Sequence, residues 1–582
     1  MKKFFTLSPF ICLFLFSFTI TAQLSETLLP KGLNNAEKSL VADFEFKSNE
    51  ATSAPSTTVR TAAEWEEIEY LVIRWTNSFQ NILLQIVQAS VLECKVLITT
   101  QNSSAVSSYL SSNGVDMTQV EFLNEPSNSI WIRDYAGNTI YSNDVEDLAL
   151  VDWIYNRPRP DDNEMPVAHA NFAGVPNFRT NSGTNDLVNT GGNFMSDGMG
   201  TAFASNLVLN ENQAGNPYGV SAKTETQVDD IMFAYQGITN YIKMEETPFD
   251  PISHIDMHMK LLDEQTILVS RYPDGVADGP QIEDNINYVT SNFQTPFGTD
   301  YKVEWIDAPP STSGLYPDAG GYYRTYTNSV FVNGTVLVPT YRPEVDDDAL
   351  ELYEELLPGY NIVGIDVDDS PELLISLSGA IHCITHGIGV ANPLLIIHQP
   401  VEESNTNLDI PLSALIKHSS DINQAKVFWR ASGDTAFEET NMTLTTEDNW
   451  ISSLSVPSSA SEIEYYIWAE ANSGKTMTRP MVAPEGFWTF NISSLSVADW
   501  AEKNIIGPFP NPASEKVSFN LKSISGKIDI AIHNMQGQRL FENTLENANG
   551  TITLNLKPEW KGTLLVSFSG EFGKIVKKVI KF

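Results

Sequence analysis

Between residues 64 and 367 the sequence repeats one local pattern, and a repeated pattern restricts the fold more than any composition does. An amphipathic helix at 78–89 leads into a strand at 95–99, and a second helix near 106–112 leads into a strand at 119–123. Hairpins follow, pairing 137–141 with 148–155, 188–194 with 201–205, 254–261 with 265–270, and 329–332 with 335–339. The last turns through Asn333-Gly334, a strong two-residue hairpin signal. Helices are predicted at 228–236, 281–292 and 347–356, and the last two lead into strands at 301–306 and 361–367. A hairpin, a helix and a strand returning about every 50 to 70 residues predicts an α/β fold built as a circular repeat of small sheet-and-helix units. The inner strands of such a ring face one axis, so residues far apart in sequence meet there in one polar site.

Near Pro400 the texture changes. Residues 408–492 alternate as strands without helix signals, as in Lys426-Val427-Phe428-Trp429-Arg430, which suits an immunoglobulin-like β-sandwich. A linker at 493–504 precedes a final all-strand block, 507–582. At 582 residues, roughly three or four domains are expected. The chain divides into a signal peptide (1–22), a polar and irregular lead or prosegment (23–56), the repeat domain (57–400), the sandwich (401–495) and the terminal block (505–582). The signal reads from Lys2 and Lys3, the apolar run 4–20 and the cleavage edge at Ala22. No later stretch has the roughly 18 uninterrupted apolar residues of a membrane span. A formal charge of −38, from 73 acidic and 35 basic residues, argues against a nucleic-acid partner, whose phosphates it would repel. Acidity of this kind draws in cationic ligands and keeps an exported protein soluble.

Cys12 falls inside the signal, leaving Cys94 and Cys383 in the mature chain. Cys94 heads the buried-strand pattern Lys95-Val96-Leu97-Ile98-Thr99 and reads as core. Cys383 lies in Ser378-Gly379-Ala380-Ile381-His382-Cys383-Ile384-Thr385-His386-Gly387, between two histidines and close to glycines that let a backbone approach a substrate. It is either one more buried small hydrophobe or a nucleophile whose thiolate its neighbours favour. A Cys94–Cys383 disulfide would extinguish the second reading.

Other clusters carry similar alternatives. Trp131-Ile132-Arg133-Asp134 sets a ring face and a carboxylate beside an arginine, suited to gripping a guanidinium or to a structural ion pair. His254-Ile255-Asp256-Met257-His258 alternates as on a strand, so three polar side chains would share a face. That face fits a general base with a substrate clamp, a metal site, or two partly exposed histidines. Asp197, after Gly191-Gly192, reaches such a site or caps its own turn. Arg157-Pro158-Arg159-Pro160 presents two guanidinium forks on a stiff chain, fit for a carboxylate ligand or for solvent. The aspartate runs 346–348 and 366–369 read as solvated loops or helix starts rather than calcium loops.

Taken in order and spacing, Trp-x-Arg-Asp, His-x-Asp and Ile-His-Cys-Ile-Thr resemble the guanidine-modifying hydrolases, specifically bacterial-type peptidylarginine deiminases and their agmatine deiminase relatives. The resemblance covers about residues 64–400. It implies a five-bladed pseudo-symmetric α/β propeller, with Cys383 as nucleophile, His254 as general acid and base, and Asp134 and Asp256 as guanidinium clamps. Trp131 would shield the guanidinium and Asn328 would hold substrate backbone. Arg157 and Arg159 match the pair that receives the carboxylate of a C-terminal arginine, whereas agmatine has none. Pro251 departs from the aromatic expected in the peptide-specific branch. Pro508-Phe509-Pro510-Asn511-Pro512, Met535-Gln536-Gly537 and the lysine-rich last strand resemble the type IX secretion sorting domain.

The expectation is a secreted or surface-held enzyme that converts peptidyl arginine to citrulline without a cofactor, its partners being arginine-containing peptides or proteins and the type IX machinery. The alternatives are an agmatine or free-arginine deiminase, a zinc hydrolase using His254 and His258, and a catalytically dead surface adhesin. Mass spectrometry of the culture supernatant should find a form that begins near Gln23 or later and lacks most of residues 507–582. Full-length chain recovered from the cytoplasm would refute both ends of this reading.

Overall fold

The computed structural model describes residues 31–41, 44–46, 52–181, 183–404, 408–457, 459–492, 504–522, 526–570 and 573–582. The expected signal peptide and most of the 493–504 linker lie outside the described residues. After α1 (Asn35–Leu40), the chain forms β1 (Val59–Thr61), β2 (Ile68–Arg74), α2 (Gln80–Ser90), β3 (Lys95–Thr99), α3 (Ser103–Ser112) and β4 (Val120–Leu123). Then come α4 (Ile132–Tyr135), β5 (Asn138–Ser142), β6 (Leu148–Tyr155), α5 (Pro160–Asn163), α6 (Met165–Ala173) and β7 (Asn177–Thr180). The third stretch holds β8 (Val188–Asn189), β9 (Met195–Ser196), β10 (Thr201–Ser205), α7 (Leu207–Glu211), α8 (Glu225–Gln236) and β11 (Asn240–Met244). The fourth is β12 (Met259–Leu261), β13 (Thr266–Arg271), α9 (Gly279–Asn292) and β14 (Lys302–Asp307). The last is β15 (Val330–Val332), β16 (Thr335–Thr340), α10 (Pro343–Leu356), β17 (Asn361–Asp366) and β18 (His386–Gly389).

These strands make five separate sheets of one design. In each, a central strand has an antiparallel partner on one side and a parallel partner on the other, reached through a helical crossover. The central strands are β6, with β5 and β7, β10, with β9 and β11, β13, with β12 and β14, and β16, with β15 and β17. The sheet of β2 is the exception in connectivity. Its parallel neighbour β3 follows in sequence, but its antiparallel neighbour is β18, from the far end of the series. A parallel connection needs a long crossover, and a helix supplies it while covering one face of the sheet. In α2 the buried Ile82, Leu83, Ile86 and Val87 recur at helical spacing and seal that face.

The two ends of the series are joined by more than the β2–β18 ladder. His386 donates through Nε2 to the Gly137 carbonyl at 2.9 Å, and the Gly389 amide donates to Thr139 Oγ1 at 3.1 Å. Tyr141 donates its hydroxyl to the Val390 carbonyl at 2.9 Å.

Two expectations fail here. The hairpin of 188–194 with 201–205 does not form, because β8 runs parallel to the end of β6 and only β9 pairs with β10. Between them Gly191–Asn193 is a single 3-10 turn pressed onto the Arg133 carbonyl, where a Cβ on Gly191 would overlap it. That close approach diverts the chain before a ladder can continue. The lead is not irregular throughout either: Asn34 caps α1 in a reciprocal pair with Glu37, and the helix packs on the domain.

Beyond residue 394 the named elements among the described residues are all strands. One sheet orders Leu395–Ile397, Ile410–Lys417 and Asn449–Leu454; another centres on Glu462–Ala471 and Ile422–Ala431, and a shared apolar core lies between them. Arg479 ties this region to Glu264 of the α/β domain at 2.9 Å. The final block forms two further sheets around Phe519, Val566 and Phe568. Among the described residues, no helix is long and apolar enough to cross a membrane.

Because Gly389 faces Thr139 and Tyr141, a side chain there would meet Thr139 Cγ2 at 2.9 Å and overlap the Tyr141 hydroxyl. Overpacking of this kind costs about 1–3 kcal/mol. Gly389→Val should therefore lower the melting temperature by several degrees, and thermal unfolding that matched the parent would show that β18 does not close the series.

Candidate active site

Every sheet unit sends the segment just before its antiparallel strand into the same place. These segments are Trp131–Asp134 before β5, Gly191–Asn193 before β9, His254–Asp256 before β12, Asn328 before β15 and Cys383 before β18. Four of them are single helical turns, at Ile132–Tyr135, Gly191–Asn193, Ile255–Met257 and His382–Ile384. A single turn presents its side chains inward and then releases the chain into a strand.

The resulting pocket is lined by Trp131, Asp134, Arg157, His254, Ser378 and Cys383, with Asn156, Ile252 and Leu377 at its margin. Cys383 Sγ stands 3.5 Å from Asp256 Oδ2 and 3.2 Å from Asn328 Nδ2. His254 faces Asp134 through Nδ1 at 3.5 Å and pairs with Thr190 Oγ1 through Nε2 at 3.0 Å. Gly192 has no room for a side chain, since a Cβ there would lie 2.5 Å from His254 Nδ1 and 3.2 Å from an oxygen of both Asp134 and Asp256. Gly379 leaves space for the Trp131 ring in the same way.

Behind the pocket lies a buried ionic chain. His382 donates from Nδ1 to Asp256 Oδ2 at 2.8 Å and reaches Glu64 Oε1 through Nε2 at 2.6 Å. Glu64 also accepts from Arg133 at 3.0 Å and from Lys260. Burial alone would raise Glu64, but His382, Lys260 and Arg133 hold it well below the usual carboxylate range. Burial lowers Lys260, and Glu64 resists that fall. At Asp256 burial is outweighed by the hydrogen bond and charge of His382, so this carboxyl titrates below its usual range. Asp134 moves up instead, by burial and by the charge of Asp256, with His254 pulling against them. Burial first, then the charges of Asp256 and Asp134, push the Cys383 thiol well above its ordinary value. Asp256 Oδ1 is buried and has no hydrogen-bond partner among the described residues. A pocket with two carboxylates, an aromatic wall and a thiol below can hold a planar cation.

Of the residues singled out from sequence, Cys383, His254, Asp134, Asp256, Trp131 and Arg157 come together here. Asn328 is present but turned inward. Its Oδ1 accepts from the Ala380 and His382 amides, each at 3.1 Å, so its amide group holds the cysteine loop rather than facing out toward a substrate backbone. The strand expected for 254–258 is a 3-10 turn, which turns His258 away to pair with Asp250 at 2.9 Å. His254 and His258 therefore share no metal-binding face. Asp197 caps its own turn, accepting from the Met199 and Thr201 amides. Arg159 is buried below the pocket. Both mature cysteines are free, with no disulfide between them. Glu64 was missed, and its only signal in the sequence is an acid placed just before a strongly apolar strand.

Fold and pocket together define a hydrolase that acts on guanidino groups. The chain belongs to the Porphyromonas-type peptidyl-arginine deiminase family, which matches residues 60–388. Residues 508–581 match the secretion system C-terminal sorting domain, which marks the protein as secreted or attached to the outer surface. A Yersinia pseudotuberculosis protein provisionally named agmatine deiminase is 25% identical over 294 residues, which are 46% of this chain and 76% of that one. A Shewanella protein with the same provisional name is 26% identical over 298 residues, covering 47% and 76%. One solved structure, also provisionally an agmatine deiminase, shares the fold with a TM-score of 0.50 and 20% identity over 59% of this chain and 100% of that one.

The electrostatics make a test of the thiol direct. Iodoacetamide should alkylate Cys383 of the unliganded protein slowly near neutral pH, at a rate still climbing at about pH 9. Asp256→Asn removes the nearest negative charge and should speed alkylation at fixed pH. An unchanged or slower rate in that variant would show that the carboxylates do not set the thiol's state.

Proposed function

We propose that the protein is an arginine deiminase working through a covalent cysteine intermediate, with its five sheet units arranged as the blades of a pseudo-symmetric propeller. The observation that supports this best is the unpartnered Asp256 Oδ1 beside the Cys383 thiol. A buried carboxylate oxygen without a donor is costly, and a guanidinium N–H is the donor that would satisfy it. Asp134 clamps the other edge of the plane and Trp131 covers its face. The entering cation offsets the two carboxylate charges that keep the thiol protonated, so substrate binding itself favours the thiolate.

Cys383 Sγ attacks the guanidinium carbon, forming a C–S bond. His254 protonates the departing nitrogen as the C–N bond breaks, and ammonia leaves behind a thiouronium. His254 then removes a proton from water, whose oxygen attacks the same carbon, and the C–S bond breaks to give a ureido product and the free thiol. Asn328 acts on this path by fixing the cysteine loop. The substrate we favour is peptidyl arginine, preferentially at a C-terminus and yielding citrulline, because Arg157 lines the same pocket with Arg159 behind it. The region from 401 to 495 is read as an immunoglobulin-like module and the type IX machinery as the partner of the tail. A second reading, agmatine or another guanidine without a carboxylate, is favoured by the names of the curated relatives.

A citrulline assay on peptides with internal and C-terminal arginine, run beside agmatine, separates these readings. Cys383→Ala should lose several orders of magnitude in rate and Cys94→Ala very little. Activity in Cys383→Ala comparable to the parent would end the thiol mechanism. Turnover of agmatine with none of any arginine peptide would move the chain to the second reading.

A further inference from the structure

The arginine pair at the pocket floor already holds an anion, and the anion belongs to this chain. Glu37 of α1 is buried at 1% exposure, as are Arg157 at 3% and Arg159 at 2%. Its Oε2 accepts from Arg157 at 3.1 Å, its Oε1 lies 3.8 Å from Arg159 Nε, and Arg157 also donates to the Gly32 carbonyl at 2.6 Å. Asp162 stands farther from Arg159, at 4.0 Å.

The segment carrying Glu37 is seated, not draped. Leu33 and Phe46 are buried against Ile154, Val188, Tyr218 and Val220, with Val41 and Phe44 packed beside them. The Phe46 ring meets Tyr218 edge-on at 5.2 Å. On the other side of the mouth, the Lys31 amide bonds the Pro251 carbonyl and its ammonium pairs with Glu246 at 2.9 Å. Pro251 adjoins Ile252, which lines the pocket with Cys383. The segment thus spans from the Arg157 wall to the Ile252 wall.

We infer that the lead, through residues 31–41 and 44–46, is an internal occupant of the substrate-carboxylate site, in which Glu37 stands where the α-carboxylate of a C-terminal arginine would stand. This rests on the proposed function above. Two buried guanidiniums side by side require an anion, and stripping one away from a buried pair is strongly unfavourable. Glu37 and a substrate carboxylate cannot both sit against Arg157 at once. In the form described here the pair is closed to a C-terminal arginine, while the pocket above remains open to a guanidinium that brings no carboxylate. Displacing the segment, or cutting it away, converts the site from carboxylate-indifferent to carboxylate-selective. The apolar anchors are few and separate from the main core, as befits a seat that can be vacated.

Three ligands decide the matter: a peptide ending in free arginine, the same peptide amidated at its C-terminus, and agmatine. Glu37→Gln keeps the helix cap and removes the charge, and Leu33→Asp with Phe46→Asp unseats the segment without touching Glu37. Each form should gain about tenfold to a hundredfold in kcat/KM for the free-carboxylate peptide, with the amide and agmatine within about twofold. Independently of turnover, the free-carboxylate peptide bound to Cys383→Ala should speed hydrogen exchange across residues 33–41, and agmatine should not. If the free-carboxylate peptide already outruns its amide in the parent, and neither variant nor exchange responds, Glu37 is no occupant, although the carboxylate preference stands. If no form distinguishes the free-carboxylate peptide from its amide while agmatine turns over, the carboxylate reading itself falls and takes the occupant with it.

Discussion

The site depends on one electrostatic requirement: carboxylates withdrawn from water must be compensated where they lie. Asp134 and Asp256 sit in the interior around one thiol and the partly exposed Glu64 lies behind them, and like charges so placed would otherwise protonate or push the structure apart. The compensation is graded. Glu64 has Lys260, Arg133 and His382 as partners, Asp256 has His382, and Asp134 has His254 at a longer distance. Charge is therefore firmly ionised at the back of the site and progressively less so toward the pocket. Burial, followed by the charges of Asp256 and Asp134, pushes the thiol well above its ordinary value.

That gradient explains which residues were legible in the sequence. Trp131, Asp134, His254, Asp256 and Cys383 occupy equivalent positions in three of the five units, so a periodic pattern and three short motifs were enough to collect them. The lengths of β3 and β6 were equally plain, because apolar runs bounded by turn residues leave little choice. Residues 188–194 were misread as one strand since their glycines signal a turn without saying what lies against them. Gly191 and Gly192 are glycine because Arg133 and His254 approach from other units, and no local pattern carries that information.

The remaining misreadings share a cause. His258 follows a perfect alternation with His254 and Asp256, yet one 3-10 turn rotates it out of register. Glu64 looks like any surface acid until Lys260, Arg133 and His382 are brought to it from far along the chain. The lead was read as polar and irregular, and its composition is indeed polar; what orders it is a handful of apolar contacts and the pairing of its own buried Glu37 with Arg157 on the surface it lies on. Sequence periodicity reports what an element does for itself and is silent about what a distant element requires of it.

The borrowing of β18 by the sheet of β2 has a temporal meaning. Most contacts within a unit are local, but the ladder that completes the first unit joins residues separated by nearly the whole domain. Such non-local pairing is entropically late. Cys383 lies just before that strand, so its thiol takes its position among Asp256, Asn328 and Trp131 at the step that joins the two ends. A chain still emerging holds Asp134, His254 and Asp256 without the thiol. Assembly of the site is thereby tied to completion of the α/β domain, and the order of synthesis sets when the thiol meets its neighbours.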